Sequence, residues 1–193
     1  MADLILGIDP GSRNCGYALL TKQKGKLVAL RCDVIKVAHL DSHPQRLQHI
    51  FEKVTALLKS FNPSSCAIET PIYGVDPLAM LKLGRAQAAA MLSITSHGMP
   101  VTEYYPKEVK KSITGNGNAS KEQVAFMLRK MVQLPDEKLS ADATDALAIA
   151  WCHLMKQSNL QKGIPASSKK THQNRKGSNW GDFIKNNPDR IRS

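Results

Sequence analysis

Three apolar segments in close succession, followed by alternating helical stretches and short apolar runs, predict a mixed α/β domain on a five-stranded sheet. The first three segments are joined by short links and so form an antiparallel meander. The later two are separated by helices, and they add to the sheet in parallel. Helices flank the whole.

Residues 4–8 (Leu-Ile-Leu-Gly-Ile) are apolar almost without a break, which suits a strand buried on both faces, and Asp9-Pro10-Gly11-Ser12 turns the chain at its end. Residues 15–20 and 27–37 supply the next two strands, with 22–26 as the hairpin loop. At Pro44 the period changes. Leu47, Ile50, Phe51, Val54, Leu57, Leu58 and Phe61 recur at helical spacing until Asn62-Pro63 stops them. Cys66-Ala67-Ile68 is a short buried strand that ends at Glu69.

Asp76-Pro77 reads as an N-cap followed by Pro at the first helical position. The helix it opens runs to about Ser96 and is apolar on most sides. Its small residues (Gly84, Ala86, Ala88, Ala89, Ala90) permit close approach, so it is buried or lies at a subunit interface. Residues 100–104 give the fifth strand. A short helix over 106–112, a loop over 114–119, a helix from Ser120 to about Val132 and a last helix from Ser140 to about Lys156 complete the order. Ser120-Lys121-Glu122-Gln123 fits a capping box.

An apolar fraction of 42% is enough for a real core, and the formal charge of +11 suits a polyanionic partner. The charge is uneven: residues 156–193 hold nine Lys/Arg against Asp182 and Asp189. The domain is therefore expected over 1–156, with a basic, flexible tail over 157–193. Cys15, Cys32, Cys66 and Cys152 have no metal-ligand spacing and read as small core residues of a reducing compartment. No signal segment and no membrane-length apolar run is present, so a cytoplasmic protein is expected.

Four carboxylates carry the chemistry. Asp9 ends the first strand, Glu69 ends the fourth, and Asp142 and Asp145 lie three apart on one face of the last helix. With the first and fourth strands adjacent, Asp9 and Glu69 emerge at the same end of the sheet, where the last helix brings its acidic face. Two carboxylates about 4 Å apart repel by roughly 4 kcal/mol at an effective dielectric near 20, so four together require protons or cations. All-oxygen ligands favour Mg²⁺ or Mn²⁺, and a pair of such ions suits phosphodiester hydrolysis. Each residue alone also fits a plainer role. Asp9 suits a turn before Pro-Gly, Asp142 or Asp145 suits a helix cap, and Glu69 suits a strand edge.

Gly7-Ile8-Asp9-Pro10-Gly11-Ser12 with Gly16-Tyr17, then Ala67-Ile68-Glu69, Leu81-Lys82-Leu83-Gly84-Arg85-Ala86, Val109-Lys110, Ser120-Lys121 and residues 141–148 (Ala-Asp-Ala-Thr-Asp-Ala-Leu-Ala) together resemble the RuvC family of Holliday junction resolvases. The resemblance covers about residues 3–155. It implies an RNase H-like fold and a homodimer that nicks four-way DNA junctions symmetrically, leaving 5′-phosphate and 3′-hydroxyl ends. Asp9, Glu69, Asp142 and Asp145 match the family's catalytic, metal-binding carboxylates, which implies two Mg²⁺ per site with Mn²⁺ as a substitute. Lys110 and Lys121 match its DNA-contacting lysines, Arg85 joins them as a candidate contact, and a branch-migration helicase complex is the implied protein partner. Other RNase H-like nucleases, or a junction-binding protein without turnover, are the alternatives.

One stretch departs from the family pattern. Where the family has an aromatic residue three positions past the Glu and then Lys-Asn, this chain has Ile72 and then Val75-Asp76. Either Tyr73 substitutes for that aromatic at the junction crossover or Ile72 acts as an apolar wedge. In the tail, Lys169, Lys170, Arg175, Lys176, Arg190 and Arg192 suit phosphate contacts, and Trp180 and Phe183 suit stacking.

Overall fold

The computed structural model describes residues 3–72, 74, 76–135 and 138–161. The meander is β1 (Leu4–Asp9), β2 (Asn14–Gln23) and β3 (Lys26–Lys36), followed by α1 (His43–Phe61), β4 (Ser65–Glu69), α2 (Pro77–Ser96) and β5 (Val101–Tyr104). Then come α3 (Pro106–Thr114), α4 (Lys121–Met131), β6 (Val132–Gln133) and α5 (Ala141–Gln161). The sheet order is β5-β4-β1-β2-β3-β6, antiparallel across β1, β2 and β3 and parallel elsewhere.

The sheet has six strands, where the sequence predicts five. The sixth is β6, whose two residues pair with Leu27 and Val28 of β3. Two residues show no alternation, so the helical pattern of α4 runs on in the sequence to Val132. The backbone turns extended there, at φ −119° and ψ 133°. The hairpin between β2 and β3 is also tighter than expected. Lys24 and Gly25 alone form its turn, both at positive φ (48° and 81°), as a two-residue connection between twisted strands requires.

Helix boundaries follow their caps. Ser42 and Gln45 form a capping box on α1, and Asn62 ends it in the left-handed region at φ 45°. The Asp76 side chain accepts from the Leu78 and Ala79 N–H groups at the start of α2. Ser120 and Gln123 cap α4 as the sequence predicts. Helix α5 runs past Lys156 to Gln161 through a mostly polar stretch with Leu160 alone apolar, too little for a helical period to show.

The sheet separates two cores. Leu6, Ile8, Tyr17, Leu19, Ile35 and Ile68 face α1 and α2. Ile5, Ala18, Leu20, Ala29 and Ala67 face the side that holds α3, α4 and α5. Cys15, Cys66 and Cys152 are buried, Cys32 is half-buried, and none is paired. Burial raises the thiols of Cys15, Cys32 and Cys66 to about 12, which removes them as nucleophiles. Among the described residues no helix is long and apolar enough to cross a membrane.

Candidate functional site

Strand alternation decides where the first two carboxylates point. Ile5, Gly7 and Asp9 share one face of β1, and Ser65, Ala67 and Glu69 share the same face of β4. The two strands pair in parallel with Ile8 opposite Ile68, so Asp9 and Glu69 leave the sheet side by side on the α5 face.

Helix α5 comes unusually close to that face. A Cβ built on Gly7 would lie 2.3 Å from the Ala146 carbonyl oxygen and 2.7 Å from the Ala150 nitrogen. One built on Gly16 would lie 2.1 Å from the Asp142 carbonyl oxygen. Gly16 is the partner of Asp9 across β1 and β2, so the backbone contact at Asp142 brings the start of α5 over Asp9. The early N–H of Ala143 is taken by the Ser140 hydroxyl at 3.2 Å. Ser140 thus performs the capping for which Asp142 and Asp145 are the sequence's other candidates.

The electrostatics register the convergence. Asp9 is raised to about 8, first by burial and then by Glu69, Asp145 and Asp142, against the lowering effect of Lys121. Glu69 is raised to about 7 by burial and then Asp145, while Lys121 and Lys110 pull it down. The Lys121 ammonium lies 2.5 Å from an Asp145 carboxylate oxygen, and that hydrogen bond raises its own pKa against the cost of burial. Glu69, Lys110, Lys121 and Asp145 line one cleft of about 160 Å³ together with Pro106, Val109, Val124 and Ala148.

The structure therefore brings together the four predicted carboxylates, Lys110 and Lys121. Lys121, expected to face DNA, is paired with Asp145 while its side chain stays 65% exposed. Ile72 is exposed three residues beyond Glu69, and Arg85 is exposed on α2, where its charge acts on His43 of α1. Tyr73 and the tail residues beyond 161 lie outside the described residues. The sequence pattern does not single out Gln87. Its amide donates to the Glu69 carbonyl at 3.3 Å and to a Glu103 carboxylate oxygen at 2.9 Å, fixing the strand end that carries Glu69. A single Gln in a run of Ala is the only trace of this in the sequence.

Among the described residues no three acidic, histidine or cysteine side chains close into an ion cage. The donor chemistry nevertheless fits a hard divalent cation. The group is all oxygen, and burial together with the neighbouring carboxylates makes Asp9 and Glu69 hold protons well above their usual range. The Lys121 ammonium already pairs with one carboxylate of the group, Asp145.

The family description that matches residues 5–153 is the crossover junction endodeoxyribonuclease RuvC. The RuvC of Salinibacter ruber is 41% identical over 189 residues, covering 97% of this chain and 98% of that protein. The RuvC of Porphyromonas gingivalis is 41% identical over 191 residues, covering 98% and 97%. Among solved structures, Thermus thermophilus RuvC in complex with Holliday junction substrate superposes at a TM-score of 0.74 with 29% identity, covering 84% of this chain and 97% of that one. The yeast mitochondrial Holliday junction resolvase Ydc2 shares the fold, with a TM-score of 0.66 at 14% identity. Fold and site together define a nuclease of the RNase H-like class. Within that class, this chain belongs to the RuvC family of crossover junction endodeoxyribonucleases.

Proposed function

We propose that the chain is a structure-specific endonuclease that resolves four-way DNA junctions by paired, symmetric nicks. The observation that supports this best is the acidic group itself: carboxylates from β1, β4 and α5 converge beside Lys110 and Lys121, in a chain of this family. Asp9, Glu69, Asp142 and Asp145 are the catalytic set and would hold two Mg²⁺, with Mn²⁺ as a substitute. Bound there, the ions supply Lewis-acid stabilisation of the attacked phosphodiester and of the leaving oxygen.

The chain's own residues do the rest. Burial keeps Asp9 and Glu69 poised to exchange protons for cations near neutral pH. Lys121, held by Asp145, and Lys110, beside Glu69, place two ammonium groups at the rim where a DNA phosphate enters. Exposed Ile72 offers an apolar wedge for the crossover, with Tyr73 beside it in sequence.

The working unit is proposed to be a homodimer. Leu78, Leu81, Arg85, Ala88 and Leu92 recur three and four apart along α2 and are all exposed, an apolar stripe interrupted by one cation that suits a second copy. Arg85 then contacts DNA or the seam. The tail expected over 157–193 is proposed to start beyond the end of α5 at Gln161 and to grip phosphate without reading sequence. A branch-migration helicase complex remains the proposed protein partner, in the cytoplasm.

The test compares cutting of a synthetic four-way junction, a flap and an RNA–DNA hybrid with Mg²⁺ or Mn²⁺. Preference for the junction is expected, and Asp9→Asn should abolish nicking while leaving junction affinity within about twofold. Equal rates on the three substrates, or full cutting by Asp9→Asn, would refute the proposal.

A further inference from the structure

On the face that carries the site, α5 rests on β1 and β2 through backbone at Gly7 and Gly16 and through Ala143, Ala146 and Ala150. Such a contact is close but smooth. Leu147, Ile149, Trp151 and Leu154 of α5 are buried in the same core, but apolar packing supplies no directional bond to the strands. Directional contacts sharpen the placement, and among the described residues every side-chain hydrogen bond from α5 to the sheet comes from His153 and Gln157.

His153 is only 4% exposed, and both ring nitrogens are engaged. Nδ1 lies 2.9 Å from the Tyr104 hydroxyl, and Nε2 lies 3.0 Å from the Ser65 hydroxyl. The Gln157 amide nitrogen lies 3.0 Å from Nε2 and 3.2 Å from the Ser65 hydroxyl. With that amide donating to Nε2, the ring proton sits on Nδ1 and is donated to Tyr104. Both partners belong to the scaffold of the site. Ser65 opens β4, the strand that Glu69 ends, and Tyr104 is the register partner of Glu69 on β5. The Thr70 N–H donates to the Tyr104 carbonyl at 2.9 Å, just past Glu69. Lys156, next to Gln157 in α5, stands 4.5 Å over the Tyr104 ring and reaches a Glu108 carboxylate oxygen at 2.7 Å on α3, the helix that carries Lys110.

We propose that His153 is a positioning residue: held between Tyr104 and Ser65, it sets the axial placement of α5 and so the placement of Asp142 and Asp145 over Asp9 and Glu69. This rests on the carboxylates being the catalytic set. The lever is short and stiff. Eight residues separate His153 from Asp145, about 12 Å of helix at 1.5 Å per residue, so a slip at one end arrives undiminished at the other. A misplacement near 1 Å is enough to cost about 100-fold in rate.

Tyr104→Phe and Ser65→Ala each remove one hydroxyl and no bulk. Each is expected to lower kcat on a four-way junction by 10-fold or more with KM unchanged. Each should also weaken binding of Mn²⁺ alone, measured calorimetrically without DNA, by several-fold. Thr55→Val is the control, because it removes a 2.9 Å bond to the Ser93 hydroxyl between α1 and α2 on the opposite face. It should lower the melting temperature to a similar degree and leave kcat and Mn²⁺ affinity alone. If Tyr104→Phe and Ser65→Ala behave like Thr55→Val, the network is structural only and the proposal fails. If the wild type cuts no junction, the activity reading fails separately, and the Mn²⁺ affinities of the same variants still decide whether His153 places the carboxylates.

Discussion

The two faces of the sheet are built on opposite principles. Toward α1 and α2 the strands present Leu6, Ile8, Leu19, Ile35 and Ile68, which meet Ile50, Val54, Leu58 and Ile94. Large side chains hold those helices off the backbone and supply burial, at about 25 cal/mol for each Å² of apolar surface removed from water. Toward α5 the strands present Gly7, Gly16, Ala18 and Ala67 beside Ile5 and Leu20, and the helix answers with Ala143, Ala146 and Ala150 at the glycines and with Leu147 and Ile149 in the core. At the glycines that face gives up side-chain burial for proximity, and proximity is what carries Asp142 and Asp145 to the strand ends. Both faces hold a core, and the second also gathers the acidic group.

The contrast between the faces breaks most visibly at Gly16. In Gly16→Val the new Cβ would meet the Asp142 carbonyl oxygen at 2.1 Å, and backbone on both sides cannot yield. Nicking is expected to fall more than 1,000-fold, roughly the scale for displacing catalytic groups by well over an ångström. On the other face, Ile50→Val should cost about 0.5–1.5 kcal/mol and leave the rate within about twofold. Junction-nicking rates and melting curves of the two variants decide it. A Gly16→Val protein that cuts at the wild-type rate would show that α5 need not touch the strand.

How well each face could be read from sequence follows from the same contrast. The α1 repeat of Leu47, Ile50, Val54 and Leu58 announces a buried helix face because large apolar residues seldom keep a helical period without a core to bury them. Asp9, Glu69, Asp142 and Asp145 were legible as a group because charge at the ends of apolar elements is conspicuous. The meeting of α5 with Gly7 and Gly16 was not legible, since a glycine in a strand signals a turn, a bulge or a close approach equally. His153 was invisible for a related reason. A lone histidine in an apolar helix has no period, and its partners Ser65 and Tyr104 are 88 and 49 residues away. The two-residue β6 fell below the length at which alternation can be seen.

The acidic face should also respond to pH in a way that the other face does not. Asp9 titrates at about 8 in the fold against 3.8 for the free side chain, and Glu69 at about 7 against 4.5. Between roughly pH 4 and pH 8 the native state therefore keeps protons that the unfolded chain has released. Their contribution to stability is fully present below pH 4, declines as pH rises, and is lost once both groups ionise. Moving a carboxyl's titration by one pH unit is worth about 1.4 kcal/mol before screening, and partial exposure reduces the pair to a few kcal/mol. Metal-free protein should melt several degrees lower at pH 8 than at pH 5. Asp9→Asn should flatten that slope, and added Mg²⁺ should recover most of the loss. Parallel pH curves for wild type and Asp9→Asn would show that Asp9 carries no such burden.

The smallest effect tests whether close approach is used a second time. Gly84 sits inside α2 between Leu81 and Ala88 of the exposed stripe, and a Cβ built on it meets nothing within 4 Å. Helix propensity alone makes Gly84→Ala favourable by about 0.5–1 kcal/mol. Within one protomer the substitution has no steric cost to set against that gain. A second copy seated on Leu78, Leu81 and Leu92 changes the balance, because the added methyl then lies beside a helix seam. The expected outcome is a higher melting temperature for the dilute protomer together with a dimer weakened by about fivefold, read by sedimentation across a concentration series. An unchanged dimer would mean that α2 meets its partner through large side chains, as α1 meets the sheet, and that contact through bare backbone is confined to the acidic face.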